Sequence, residues 1–346
     1  MKHLPRDAAS GRRVRAPRAL RVVAPGRLHI GFLDLNGSLG RRFGSLGLAL
    51  ESPSCRVLLE TADEPSAAGP DAERALEALR KVCAANDRLD DRVRIVVEQA
   101  LPAHAGLGSG TQLALAVGVG ASVLGGHAMA PTEVARTIGR GARSSIGLGA
   151  FEGGGVLLDG GQPVSPDPND HRPPPLLSRV AIPETWRILL MFDASRTGLS
   201  GSAESDAMKG LPEFPERLAE RLCRLTLMGA MPAAANGDAD AFGRAIGEIQ
   251  RRLGDHFARF QGGRFTSPDV AEALKIVEAE GVPGVGQSSW GPTGFAIFGD
   301  AVAAEDAAAD ISGRFADRPH VSFDVVRGDN RGATIADAPH STERRG

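Results

Sequence analysis

The block Pro102–Gln112, PAHAGLGSGTQ, constrains this chain more than any other. It follows Arg92–Glu98 (RVRIVVE), whose alternation predicts a strand, and opens Gln112–Leu124, an apolar Ala-rich run that predicts a buried helix. Gly106, Gly108 and Gly110 permit positive φ and leave backbone N–H groups open to a ligand. A helix starting there adds about half a positive elementary charge. A glycine loop between strand and helix is suited to an anion, and phosphate is the simplest one. Ser109 and Thr111 add hydroxyls that can donate to phosphate or bind a metal. The loop has neither the Gly-Lys-Ser/Thr of a Walker A motif nor the later ribose-binding acid of a dinucleotide fold. A tight turn with no ligand is the alternative reading.

The rest of the 346 residues reads as α+β. Arg21–Phe32 predicts strand, turn, strand, and Leu46–Leu50 and Arg56–Glu60 predict further strands. Pro70–Asn86 and Pro131–Gly139 have helical spacing, and Gly147–Leu158 reads as a glycine-rich turn and strand. A Pro/Asp-rich loop, Gln162–Pro175, precedes Trp186–Asp193, a strand that opens a second unit. Helices near Phe214–Ala235, Ala239–Arg252 and Asp269–Glu280 follow, with strands at Thr293–Phe298 and Val321–Val326. Met1–Arg18 and Asp329–Gly346 carry no apolar period and are expected to be disordered tails.

Composition narrows the function. Three widely spaced cysteines give neither a disulfide framework nor a zinc-thiolate site, which fits a reducing cytoplasm. No run of about 18 apolar residues predicts a membrane span, and Met1–Arg21 has no apolar signal-peptide stretch. A net charge of −2 and an aromatic content of 4% argue against a nucleic-acid partner.

Pro102–Gln112 resembles the phosphate loop P-x-x-x-G-L-G-S-S of the GHMP small-molecule kinase superfamily, and Gly284–Ile297 (GVGQSSWGPTGFAI) sits where that superfamily keeps its third motif. The loop departs from the kinases at Gly110-Thr111-Gln112. No acid occurs in Ile146–Phe151, where kinases with a catalytic base carry an Asp. Gly26–Leu50, Gly139–Gly161 and Gln287–Thr293 together are similar to a narrower group, the β-ribofuranosylaminobenzene 5′-phosphate synthase family.

That resemblance implies a two-part GHMP-kinase-like fold. Residues 19–179 would form a ribosomal-protein-S5-like N-terminal domain and residues 180–328 a ferredoxin-like C-terminal domain, with the site between them. It also implies condensation of phosphoribosyl pyrophosphate with 4-aminobenzoate or 4-hydroxybenzoate, Mg²⁺ as cofactor, and a homodimer. An ATP-dependent small-molecule kinase is the other reading.

Under the resemblance, Asp34 and Arg41 are the catalytic candidates. Asp34 would stabilise cationic charge or bond ribose hydroxyls, with a solvated turn Asp as the other reading, and Arg41, favoured over the adjacent Arg42, would fork onto the sugar phosphate or the benzoate carboxylate. Gly106, Gly108, Ser109, Gly110 and Thr111 would grip pyrophosphate. Arg27 and His29, on one face of a strand, would line the site. Arg143, Ser144 and Ser145 would contact substrate oxygens, with a plain turn as the alternative. Gln287, Ser288, Ser289 and Trp290 would face the phosphate loop, Trp290 covering the aromatic ring or serving as core. Ser109 and Glu152 are the metal-ligand candidates, with a structural cap as the other role for Glu152.

Overall fold

The computed structural model describes residues 18–167, 171–198, 206 and 210–340. The expected N-terminal tail lies outside them, apart from Arg18. The first sheet is built on a long hairpin of β1 (Ala19–Asp34) and β2 (Arg41–Thr61). It also holds β3 (Ser66–Ala68), β4 (Val93–Gln99), β5 (Val156–Asp159), β6 (Gln162–Pro163), β7 (Leu176–Val180) and β12 (Thr334–Asp337). The order is β12-β1-β2-β4-β3, with β5 and β6 on the first part of β2 and β7 beyond β5. Glycines and Pro53 interrupt the alternation of β1 and β2, so the sequence reads each as two strands. The backbone continues through instead, with register shifts at Pro25/Gly26 and His29/Gly31.

One face of this sheet carries α1 (Ala72–Ala84), α2 (Ser109–Leu124), α3 (Pro131–Thr137) and α4 (Ile146–Gly153). α2 is buried nearly all round, among Val57, Leu59, Leu79 and Ile95, which explains its uniformly small and apolar sequence. α4 corrects an expectation. Its glycines read as a turn, but they allow close packing: a Cβ at Gly147 would stand 3.1 Å from the Thr111 methyl, and one at Gly149 3.2 Å from Leu157.

The second sheet is antiparallel, with β11 (Val321–Val326), β8 (Arg187–Asp193), β10 (Gly294–Phe298) and β9 (Val285–Gln287) in that order. α5 (Glu216–Leu225), α6 (Met231–Asn236) and α7 (Ala239–Gln261) pack on one face, and α8 (Pro268–Ala279) and α9 (Ala301–Arg314) on the other. Side chains of Asp238, Ser267 and Asp300 cap α7, α8 and α9 by accepting from the N–H of Ala241, Val270 and Ala303. The helix expected over Phe214–Ala235 runs continuously but carries a π turn, Thr226–Ala230, just before Pro232, which has no N–H to continue the ladder.

The two sheets share a core. Leu28, Ile30, Leu48 and Leu50 of the first sheet pack with Trp186, Ile188, Phe242 and Phe295 of the second half. The two halves therefore meet along a packed seam. The C-terminal segment also differs from expectation, because 329–340 is part of the fold. Asp329 is buried, donates its N–H to the Ala49 carbonyl, and accepts from the N–H groups of Arg331 and Gly332. β12 then pairs with Leu20–Val23 of β1. Its four residues are exposed and are held by backbone pairing, so no apolar pattern announces them.

Candidate active site

The phosphate loop leaves β4, passes through Gly106 and Gly108 at φ of 83° and 85°, and enters α2 at Ser109. Both angles lie in the left-handed region that favours glycine. A Cβ at Gly106 would stand 2.2 Å from the Ser288 carbonyl oxygen, and one at Gly291 2.2 Å from the Ala105 carbonyl oxygen. The phosphate loop and the β9–β10 loop thus touch backbone to backbone. The Ser288 hydroxyl fixes the joint by donating to the Gly106 carbonyl (2.7 Å) and accepting from the His29 N–H (3.0 Å). Ser289 N–H donates to the His29 carbonyl (2.9 Å), and Ser289 holds a positive φ of 54°. Arg27 crosses from β1, its N–H donating to Leu107 and its guanidinium to the Gly106 carbonyl. Arg27, His29, Gly106, Gly108, Ser288 and Ser289 are brought together from three distant segments.

At the N-terminus of α2, two further arginines face the loop. A Cβ at Gly110 would stand 2.5 Å from Arg74 Nη2 and 3.4 Å from Arg140 Nη2. Desolvation and the neighbouring Arg74 charge hold the pKa of Arg140 below the usual arginine value. Sequence reasoning missed both residues. Arg74 reads as an ordinary helix-surface charge, and only the packing of α1 on α2 brings it to Gly110. Ser109 and Thr111 occupy the first turn of α2, with Thr111 against Gly147. Arg143 lies close enough for its charge to act on His29.

Other candidates are placed differently. Asp34 Oδ1 accepts from the N–H groups of Asn36 (2.7 Å) and Gly37 (3.0 Å), closing the turn after β1. Arg41 donates from Nε to the Gly160 carbonyl (2.8 Å) and from Nη2 to that of Gly161 (2.6 Å), so its fork ties β2 to the β5–β6 turn. Ser144 and Ser145 are used internally. The Ser144 hydroxyl donates to buried Asp159 (3.0 Å), and the Ser145 hydroxyl donates to the Pro174 carbonyl (2.5 Å). Gln287 is spent on its own neighbours, accepting from Thr266 N–H and donating to the Ser289 carbonyl. Trp290 is buried against Phe257, with ring centroids 4.8 Å apart, and lines a small pocket with His29, Gln287 and Ser289.

The two metal-ligand candidates, Ser109 and Glu152, lie at different places in the fold. Glu152 lies in the last turn of α4, near Arg179, on a wall with Glu133 and Pro173–Pro175. Gly147, at the other end of α4, is the residue that meets the first turn of α2. Among the described residues no three His, Cys, Asp or Glu side chains converge as a metal site.

His29 is 4% exposed, and its Nδ1 has no hydrogen-bond partner. Burial first, then the charges of Arg27 and Arg143, push its pKa down to about 3. The ring is therefore neutral at the site at ordinary pH. The unfolded chain takes up a proton near the ordinary value of 6.5, whereas the folded chain does not. Stability is therefore full above about pH 6.5 and falls by up to about 1.4 kcal/mol per pH unit as acid is added. Denaturant unfolding of wild type and His29→Gln between pH 7.5 and 4.5 is expected to show a shallower acid loss in the variant. Equal slopes would contradict this account of His29.

Comparison with known proteins places this geometry. Residues 72–154 match the GHMP kinases N terminal domain and residues 230–317 the GHMP kinases C terminal domain. The β-ribofuranosylphenol 5′-phosphate synthase of Methanothermobacter thermautotrophicus is 32% identical over 293 residues, covering 80% of this chain and 88% of that protein. The synthase of the same name from Methanocaldococcus jannaschii is 33% identical over 319 residues, covering 85% and 94%. The chain belongs to the β-ribofuranosylphenol 5′-phosphate synthase family. In this synthase family member the fold is that of the GHMP kinases. Homoserine kinase from Cytophaga hutchinsonii superposes with a TM-score of 0.66 at 16% identity, covering 95% of this chain and all of that one. Mevalonate diphosphate decarboxylase from Enterococcus faecalis superposes with a TM-score of 0.60 at 15% identity, covering 93% and 100%. The chain is thus an enzyme of synthase type on a GHMP-kinase scaffold, with three arginines gathered about its phosphate loop.

Proposed function

We propose that the chain condenses phosphoribosyl pyrophosphate with a para-substituted benzoate, releasing carbon dioxide and pyrophosphate and leaving a β-C-riboside 5′-phosphate. The reaction would open the synthesis of a tetrahydromethanopterin-type cofactor. The observation that carries this reading is the phosphate loop ringed by Arg27, Arg74 and Arg140. A pyrophosphate leaving group carries more negative charge than a monoester, and guanidinium groups recognise it by paired donation. The relatives' name specifies a ribofuranosylphenol, the product expected from 4-hydroxybenzoate. 4-Aminobenzoate carries an equivalent electron-donating group at the same position.

In this mechanism the ring carbon bearing the carboxylate attacks ribose C1. The C1–O bond to pyrophosphate breaks, and its electron pair leaves with pyrophosphate. The bond from ring to carboxylate then breaks, its pair restores aromaticity, and carbon dioxide departs. No proton transfer is required, so a neutral His29 and the missing acid between Ile146 and Phe151 are compatible with the chemistry. Arg27 and the α2 N-terminus would stabilise charge developing on pyrophosphate. The backbone seam at Gly106 and Gly291 would hold the leaving group in line.

The residues fit Mg²⁺ only as a substrate-borne ion. Ser109 and Thr111 offer hydroxyls on the first turn of α2 and no carboxylate cluster stands there among the described residues, so phosphate oxygens would supply most ligands. When bound, the ion would neutralise leaving-group charge.

The test is product analysis by mass spectrometry with phosphoribosyl pyrophosphate and each benzoate in turn. A ribosylaniline or ribosylphenol phosphate supports the reading. ADP formation from ATP and a small alcohol, with no C-riboside, would return the chain to the kinases.

A further inference from the structure

We propose that a second, arginine-lined cleft beside the phosphate loop binds the phosphate monoester end of the ribosyl substrate. The identity of the ligand rests on the proposed function, and the anion site itself rests on the cleft. This cleft of about 590 Å³ is walled by Arg42, Arg136, Arg140 and Arg172, with Phe43 and Gln162 between them. No carboxylate lines it among the described residues. The guanidinium groups of Arg42, Arg136 and Arg140 have no acceptor there either. Like charges around one concavity repel, and an anion at its centre converts that repulsion into charge-assisted hydrogen bonds.

The backbone supports the same assignment. Phe43 holds a φ of 75°, which costs a bulky residue about 1–3 kcal/mol. This conformation lies between Arg42 on the cleft wall and the Phe43 ring, which packs 5.3 Å from that of Phe32.

Arg140 joins the cleft to the phosphate loop, since it walls the cleft and also faces Gly110. Two anion sites sharing one guanidinium match a ligand with phosphate groups at both ends of a ribose. The loop, with its hydroxyls and helix N-terminus, suits a metal-borne pyrophosphate. The cleft, whose charged lining side chains among the described residues are arginines, suits a monoester dianion. Arg136 was not among the residues expected to bind substrate, and Arg42 was weighed only as the alternative to Arg41.

Calorimetric titration of the full chain with ribose 5-phosphate and, separately, inorganic pyrophosphate tests the division. Arg42→Ala and Arg136→Ala should each weaken ribose 5-phosphate about 10- to 100-fold and leave pyrophosphate within about threefold. Arg136→Lys should recover part of the loss. Unchanged ribose 5-phosphate affinity in both variants, or weakening confined to pyrophosphate, would overturn the assignment, as would a wild type that binds no ribose 5-phosphate. Binding lost with Arg136, in a wild type that forms no C-riboside, would uphold the cleft and sink the synthase reading. C-riboside formation with unaltered kinetics in both variants would do the reverse.

Discussion

Gly106→Ala is expected to cost the fold about 2–4 kcal/mol, combining left-handed strain with a steric clash. The clash is with backbone: the new methyl would stand 2.2 Å from the Ser288 carbonyl oxygen and 3.2 Å from Gly291 Cα. Neither can rotate away as a side chain would. The phosphate loop and the β9–β10 loop would have to separate, breaking the Ser288 hydroxyl's bond to Gly106. A shift near 1 Å at a positioned leaving group costs about 100-fold in rate. Turnover should therefore fall by at least that much even in the fraction that remains folded. Gly262→Ala is the control, because its φ of +79° is equally left-handed but a Cβ there meets nothing within 4 Å. It should lose only about 1 kcal/mol and keep its activity. Thermal unfolding and kcat/KM of both variants decide the matter. Equal losses would show that the seam contributes nothing beyond local strain.

Asp159→Ala is expected to have the other large effect, about 3–5 kcal/mol. Asp159 is 1% exposed and accepts from Ser45 N–H, Ser144 Oγ, Ser145 N–H and Gly161 N–H at 2.9–3.1 Å. Burial raises its pKa while these four donors pull it back. Alanine would leave three backbone N–H groups without an acceptor in a buried place. The Ser144–Ser145 turn would lose its anchor, and Arg143, the residue before it, would lose its position relative to His29. Asp159→Asn keeps one carbonyl oxygen and should lie between. Denaturant unfolding that places Asp159→Ala within about 1 kcal/mol of wild type would contradict this role.

Much of the site was legible because its chemistry is local. The glycines of 106–110 mark the phosphate loop through the backbone freedom they give. The joining of Arg27, His29 and Ser288 was readable only through the family resemblance, since nothing in their spacing links residues so far apart in the chain. Arg74 and Arg140 were not readable: each looks like an ordinary solvated arginine until α1 and the loop after α3 are packed around α2. Asp159 closed what read as a simple turn, and its role depends on donors from Ser45 and Ser144. Arg41 and Arg42 show the limit of spacing. The pattern favoured Arg41, but the structure spends its fork on the Gly160 and Gly161 carbonyls and sets Arg42 on the cleft wall. In the fold, α2 followed from its unbroken apolar run, and α7 and the core strands from apolar period. β12 and the π turn did not, because one rests on backbone pairing and the other on the geometry before Pro232.

The most direct test of the central claim counts carbon dioxide and pyrophosphate released from one reaction mixture containing phosphoribosyl pyrophosphate and carboxyl-labelled benzoate. A decarboxylating ribosyl transfer requires one labelled carbon dioxide for each pyrophosphate, in step with C-riboside formation. Pyrophosphate release without labelled carbon dioxide would show that the loop activates ribosyl pyrophosphate toward water or another acceptor, and would contradict the account.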